Sequence, residues 1–161
     1  EFFADNNERS VFFCKGALET VKKLGWSPDV VHCHGWFSAL VPAYVKTTYK
    51  DDPTFKDAKV MYSLFNEEFK GTLGAKYAEM APEGSFKAED AKVYGDGSYE
   101  AIYKGALHFT DMVVVADENV NAEIVDFARS KDIQVFEPNG DQDYDAFGEV
   151  YDQFAPEEVE A

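Results

Sequence analysis

The densest run of chemically capable side chains is "HCHGW", His32 to Trp36, with two imidazoles, a thiol and an indole within five residues. On a strand, residues two apart share a face, so His32 and His34 present a geometry that a metal ion accepts, while Cys33 faces the other way. No third ligand stands at a recognisable spacing. The preferred reading is therefore metal-free, with His32 packed along the strand and His34 at a crevice. Cys33 would need a neighbouring base to act as a nucleophile and reads as core. Trp36, at a helix start, reads on its own as a core-facing aromatic. Elsewhere, "DQDYD" at 141–145 imitates a metal-binding D-x-D but suits the capped start of a helix. "GDG" at 95–97 has too few glycines for a dinucleotide loop. His108, at a helix end, is placed to meet the last carbonyls.

The elements that must position these groups follow from periodicity. Val11, Cys14, Leu18 and Val21 recur at helical spacing, Asp5 and Glu8 form a capping-box pattern, and Gly25 punctuates the end, predicting a helix over 8–24. The β-branched run "DVVHCH" then reads as a buried strand. A helix over 37–49 follows, with Pro42 tolerated in its opening turns, and then a strand over 58–65. Between Gly71 and Gly97 the pattern weakens to an excursion with one short helix. A helix over 99–109 with Ser98 as its cap, the strand "DMVVVAD", a helix over 119–129, the strand "IQVF" and a last helix carrying Tyr144, Phe147, Tyr151 and Phe154 complete the alternation. Strands separated by helices predict an α/β fold, a Rossmann-like parallel sheet with helices on both faces. Ligands in such sheets bind beyond the carboxyl ends of the strands, where both "HCHGW" and "FNEEFKG" lie.

Bulk properties exclude several functions. With 161 residues the chain has the length of one domain. Its 31 acidic and 15 basic residues give a formal charge of -16, which repels phosphate backbones and anionic lipid, so neither nucleic acid nor membrane is an expected partner. No apolar run approaches the roughly 18 residues of a spanning helix and no secretion signal is evident, so the expected location is cytoplasmic. Two cysteines, Cys14 and Cys33, are too few for a disulfide framework and read as reduced. The sequence opens on Glu1 rather than Met, which reads as a start partway through a longer product.

The run from Pro28 to Gly71 resembles the N-terminal domain of bacterial glycogen synthases and plant starch synthases. The family pattern is close to D-V-V-H-A-H-D-W-Q-T-A-L-V-P-x-Y-L-K, then Y-x-x-D-P-x-F, then T-I-H-N-L-x-Y-Q-G. "DNNERSVFFCKGALETVKKL" upstream and "YKGALHFTDMVVVADENVNAEI" downstream are similar to further family motifs. The resemblance covers 5–70 and resumes over 99–124. It implies the partial N-terminal domain of a two-domain GT-B glycosyltransferase over 1–155, with an acidic tail over 156–161. It also implies a retaining, metal-free transfer of glucose from ADP-glucose to an α-1,4-glucan, with no cofactor.

Carried over position by position, Trp36 matches the acceptor-side tryptophan, His34 lies beside it, and Asn66 matches the Asn of T-I-H-N. Gly35 stands where the family has an acceptor-contacting Asp, and Phe65 stands where it has a catalytic-site His. Ala116 falls near the Ser of a V-S-P motif. Phe65 can neither hydrogen-bond a glucose hydroxyl nor share charge with a transition state, so no residue is assigned as catalytic. The family's Lys-x-Gly-Gly loop and donor-binding domain have no counterpart in these 161 residues. The leading expectation is the acceptor-side half of a synthase, inactive alone, with an α-glucan and a separate or missing donor-binding domain as partners. The alternatives are a non-catalytic glucan-binding or regulatory half-synthase, and a scaffold whose open "VVHCH" edge makes it a homo-oligomer.

Overall fold

The computed structural model describes residues 3–138 and 144–153. The chain opens with a 19-residue helix, α1 (Asn6–Leu24), that buries the Val11, Cys14 and Leu18 stripe. The expected capping box is not formed. Asp5 makes no cap bond, because its carboxylate lies 2.9 Å from the Arg9 guanidinium one turn along. Gly25 ends the helix as expected, in the left-handed conformation at φ 66° that costs glycine nothing.

Strand β1 (Val30–His34) follows and runs into a single 3-10 turn, Trp36–Ser38. Helix α2 (Val41–Lys46) is much shorter than the 37–49 expected and carries Pro42 in its first turn. Strand β2 (Lys59–Leu64) leads into the glycine-rich excursion, which holds two short helices rather than one, α3 (Lys76–Met80) and α4 (Ala88–Ala91). Helix α5 (Tyr99–Leu107) and strand β3 (Met112–Val115) come next. Helix α6 (Ala122–Ser130) starts later than expected, because the Asn121 side chain accepts the Glu123 N–H and caps it there. Strand β4 (Gln134–Phe136) and helix α7 (Tyr144–Asp152) complete the described fold. Residues 141–143 of the expected D-x-D cap, Phe154 and the acidic tail lie outside the described residues.

The four strands form one parallel sheet in the order β1-β2-β3-β4, with His32 opposite Met61 and Tyr62 opposite Val113. Every crossover steps the same way, and right-handed crossovers that all step one way lay their helices on one face. The core divides accordingly. Val60, Tyr62, Leu64 and Val113 join the large cluster built with α1 to α6, while Met61, Met112 and Val114 pack with Val150 and Phe147 of α7. Both faces are covered, as expected, but α7 alone covers the second among the described residues.

Among the described residues β1 pairs only with β2 and so lies at the edge of the four-stranded sheet. Beside it runs an apolar cleft of about 430 Å³ lined by Phe13, Leu18, Trp26, Val31 and Phe37. Its rim residues Trp26 and Phe13 are 62% and 46% exposed. No helix among the described residues is long and apolar enough to cross a membrane.

Packing is close where α5 meets the excursion. A Cβ on Gly105 would sit 2.5 Å from the wholly buried Tyr94 ring, whose phenol donates to the Ala39 carbonyl at 2.9 Å. The ring has no room to retreat. Gly105→Ala is expected to cost about 1–3 kcal/mol through overpacking, read as a lower urea midpoint at unchanged slope. An unchanged midpoint would show that Tyr94 does not fill this position.

Candidate functional site

The loops leaving the carboxyl ends of the strands enclose a cavity of about 780 Å³, lined by His34 and Ser63 from β1 and β2, Phe65, Asp117, Glu118 and Glu137. Its carboxylates favour hydroxyl-bearing or cationic ligands and oppose phosphate. Arg129 offsets part of that charge, its guanidinium lying 2.5 Å from Glu137.

His32 and His34 project on the α7 side of the sheet, with ring centroids 4.1 Å apart. His32 is half-buried and held at both nitrogens, Nε2 at 2.7 Å from Ser63 Oγ and Nδ1 at 2.5 Å from Tyr151 Oη. A neutral imidazole donates through one nitrogen and accepts through the other, which suits two hydroxyl partners. Burial first, and His34 second, lowers its pKa to about 4. Ser63 is only 1% exposed, so the Ser63–His32–Tyr151 chain ties two strands and α7 together rather than presenting a nucleophile. The expectation of a packed strand residue describes His32, although nothing in the sequence links it to Tyr151, 119 residues away.

His34 is exposed and lines the cavity, and its ring lies 5.9 Å from that of Phe65. Cys33 faces the other core, buried, as does Cys14. Burial pushes the Cys14 thiol up to about 12 and Cys33 higher still, so neither is a thiolate near neutrality. Among the described residues no three His, Cys, Asp or Glu side chains converge to hold a metal. His108 caps α5, and its ring packs against Phe127 at 5.4 Å.

Trp36 and Asn66 do not line this cavity. Trp36 is half-buried, packed edge-on against Phe37 and Phe69, both at 5.2 Å, and Phe69 in turn meets Tyr99 at 5.7 Å. Asn66 is exposed on the loop after β2. Between these groups lies Gly35, buried at φ 66° and ψ 165°. Its carbonyl accepts from Tyr62 Oη at 2.7 Å and Ser38 Oγ at 3.0 Å. Both carboxylate oxygens of Glu67 stand 2.9 Å from where a Gly35 Cβ would be. Partial burial there raises the Glu67 pKa, and its charge contributes, after burial, to raising the Tyr103 phenol. Nothing in the sequence distinguishes Glu67 from its neighbour Glu68. The one hint was the missing carboxylate at position 35.

Residues 1–135 match the family model of the starch synthase catalytic domain. Glycogen synthases of Desulforudis audaxviator and Thermotoga maritima are each 32% identical, over 124 and 122 residues, covering 76% and 74% of this chain and 24% of each relative. That of Chlorobium limicola is 33% identical over 121 residues. The chain thus spans about a quarter of the length of these relatives. The catalytic domain of starch synthase IV from Arabidopsis thaliana, bound to ADP and acarbose, superposes with a TM-score of 0.65 at 20% identity. It covers 91% of this chain and 32% of that one, a likeness of fold.

The His32 environment has a consequence for stability. Its folded pKa lies below the ordinary 6.5, so the unfolded chain binds the proton more readily. The stabilisation is complete above about pH 6.5 and is lost as the pH falls towards 4. The melting temperature of wild type, relative to His32→Gln, is expected to decline across that window. Parallel curves for the two proteins would contradict the buried contact with Tyr151.

Proposed function

Because the chain belongs to the glycogen and starch synthase family of glycosyltransferases, we propose that it forms the acceptor-facing part of a synthase N-terminal domain. In this reading His34, Trp36 and Asn66 meet an α-1,4-glucan. The observation that carries it is the placement of Trp36. It leaves the carboxyl end of β1 half-buried, braced edge-on by Phe37 and Phe69, on a turn fixed by Tyr62 and Ser38. A rigid indole at a sheet's ligand-binding end suits the apolar face of a glucose ring, and the Glu67 carboxylate beside the adjoining Gly35 suits its hydroxyls. The neighbouring structure of starch synthase IV holds acarbose, an oligosaccharide-like ligand, together with ADP. That pairing supports a glucan acceptor and an ADP-linked donor for the family's reaction.

Transfer itself needs two domains closed on the donor in a reactive geometry. This chain spans a quarter of its relatives and has Phe65 where the family pattern has His. We therefore assign the 161-residue chain acceptor binding without transfer, a donor-binding domain being its functional partner. Phe65 and Gly35 also favour a second reading, a glucan-binding or regulatory half-synthase in which no partner restores activity. Mixing the chain with a synthase donor domain separates the two, since only the first reading allows glucose incorporation from ADP-glucose.

The deciding experiment is affinity electrophoresis in gels with and without glycogen. Glycogen is expected to retard wild type, and Trp36→Ala is expected to weaken that retardation about tenfold or more, in line with loss of a buried aromatic contact. The pure chain is expected to incorporate no label from ADP-glucose. Unchanged mobility at high glycogen would overturn the acceptor reading, and label incorporation abolished by a site mutation would overturn the assignment of no transfer.

A further inference from the structure

We propose that Glu67 is the acceptor-site carboxylate of this chain, taking over from a different loop the role that the family pattern gives to an Asp at position 35. The inference rests on the glucan reading above and deepens it to a residue that no family position assigns.

The argument begins with the backbone. Gly35 sits at φ 66° and ψ 165°, a region that is essentially confined to glycine. Its carbonyl is held by Tyr62 Oη and Ser38 Oγ, so the turn cannot relax to a conformation that suits a side chain without breaking bonds to buried groups. No carboxylate can be mounted at position 35 on this turn. Glu67 fills the space instead, with Oε1 and Oε2 both 2.9 Å from the absent Cβ. The two loops are neighbours by construction, since β1 and β2 pair with His34 opposite Ser63, and Gly35 and Glu67 lie just beyond that register.

The carboxylate is also suitably placed for sugar recognition. It makes no ion pair among the described residues, so its charge is available to a ligand. Trp36 follows Gly35 directly, and Phe69 packs on Trp36 two residues after Glu67. An aromatic wall beside a partly desolvated carboxylate offers a glucose ring an apolar face and a strong acceptor for its hydroxyls. Partial burial of the carboxyl against Gly35 strengthens those bonds relative to a fully solvated Glu.

The test is isothermal titration of the purified chain with maltoheptaose. Four proteins are compared: wild type, Glu67→Gln, Glu68→Gln and Trp36→Ala. Glu67→Gln is expected to weaken binding about tenfold or more, as loss of a charge-assisted hydrogen bond does. Glu68→Gln, one residue on and also exposed, is expected to bind as wild type. Thermal melts check that each variant is folded, and the exposed outer part of Glu67 makes a wild-type melt the expected result. If wild type binds and Trp36→Ala does not, while Glu67→Gln binds normally, the glucan reading stands and this inference is overturned. Equal losses for Glu67→Gln and Glu68→Gln also overturn it, because the effect is then one of net charge. If wild type does not bind, both fall together.

Discussion

The buried phenols are the constraint on which the rest of this structure depends. Tyr44, Tyr62, Tyr77, Tyr94 and Tyr103 are all wholly buried, and a hydroxyl buried without a partner costs about 1–3 kcal/mol. Three of them resolve this by donating to carbonyls of other elements: Tyr44 to Ala81, Tyr62 to Gly35 and Tyr94 to Ala39. Tyr77 reaches Ser10 Oγ at 3.4 Å, and Ser10 passes the bond on to the Phe37 carbonyl at 2.9 Å. Only Tyr103 Oη, among the described buried side-chain oxygens, is left without a partner. The glycine-rich excursion carries little apolar periodicity of its own. Its Tyr77 and Tyr94 tie it through these bonds to α1 and to the segment after β1.

The same bonds make the segment after β1 rigid. Gly35, Phe37 and Ala39 each give a carbonyl to a side chain from elsewhere in the chain, so the turn that carries Trp36 is braced from β2, from α1 and from the excursion. A loop so fixed presents its side chains in one arrangement, which lowers the entropic cost of binding. The acidic lining of the adjacent cavity adds selectivity, since Asp117, Glu118 and Glu137 repel phosphates while accepting bonds from hydroxyls.

Much of this was legible in the residues. The β-branched runs located four strands, and their alternation with helices fixed a parallel sheet, because local pattern and crossover rules act at short range. Boundaries were less legible where side chains chose among partners. Asp5 pairs with Arg9 instead of capping α1, and Asn121 rather than Asn119 opens α6. The site was legible only in part. "HCHGW" identified the β1 end, but Glu67 meets Gly35 across two strands, and His32 meets Tyr151 across nearly the whole fold. Such pairings are set by tertiary packing and leave no spacing to read.

The sequential order of the sheet has a kinetic side. Because β1, β2, β3 and β4 neighbour one another in the order of the chain, each of these described strands adds to the edge the previous one has left, and none of the four waits for a distant partner among them. The six helices of the first face can pack as they appear. The second face cannot, since Met61, Met112 and Val114 stay uncovered until α7 arrives after β4. Within the described span α7 is thus the helix that covers this sticky surface, and the interval before it docks is when chaperones and misassembly compete for the chain.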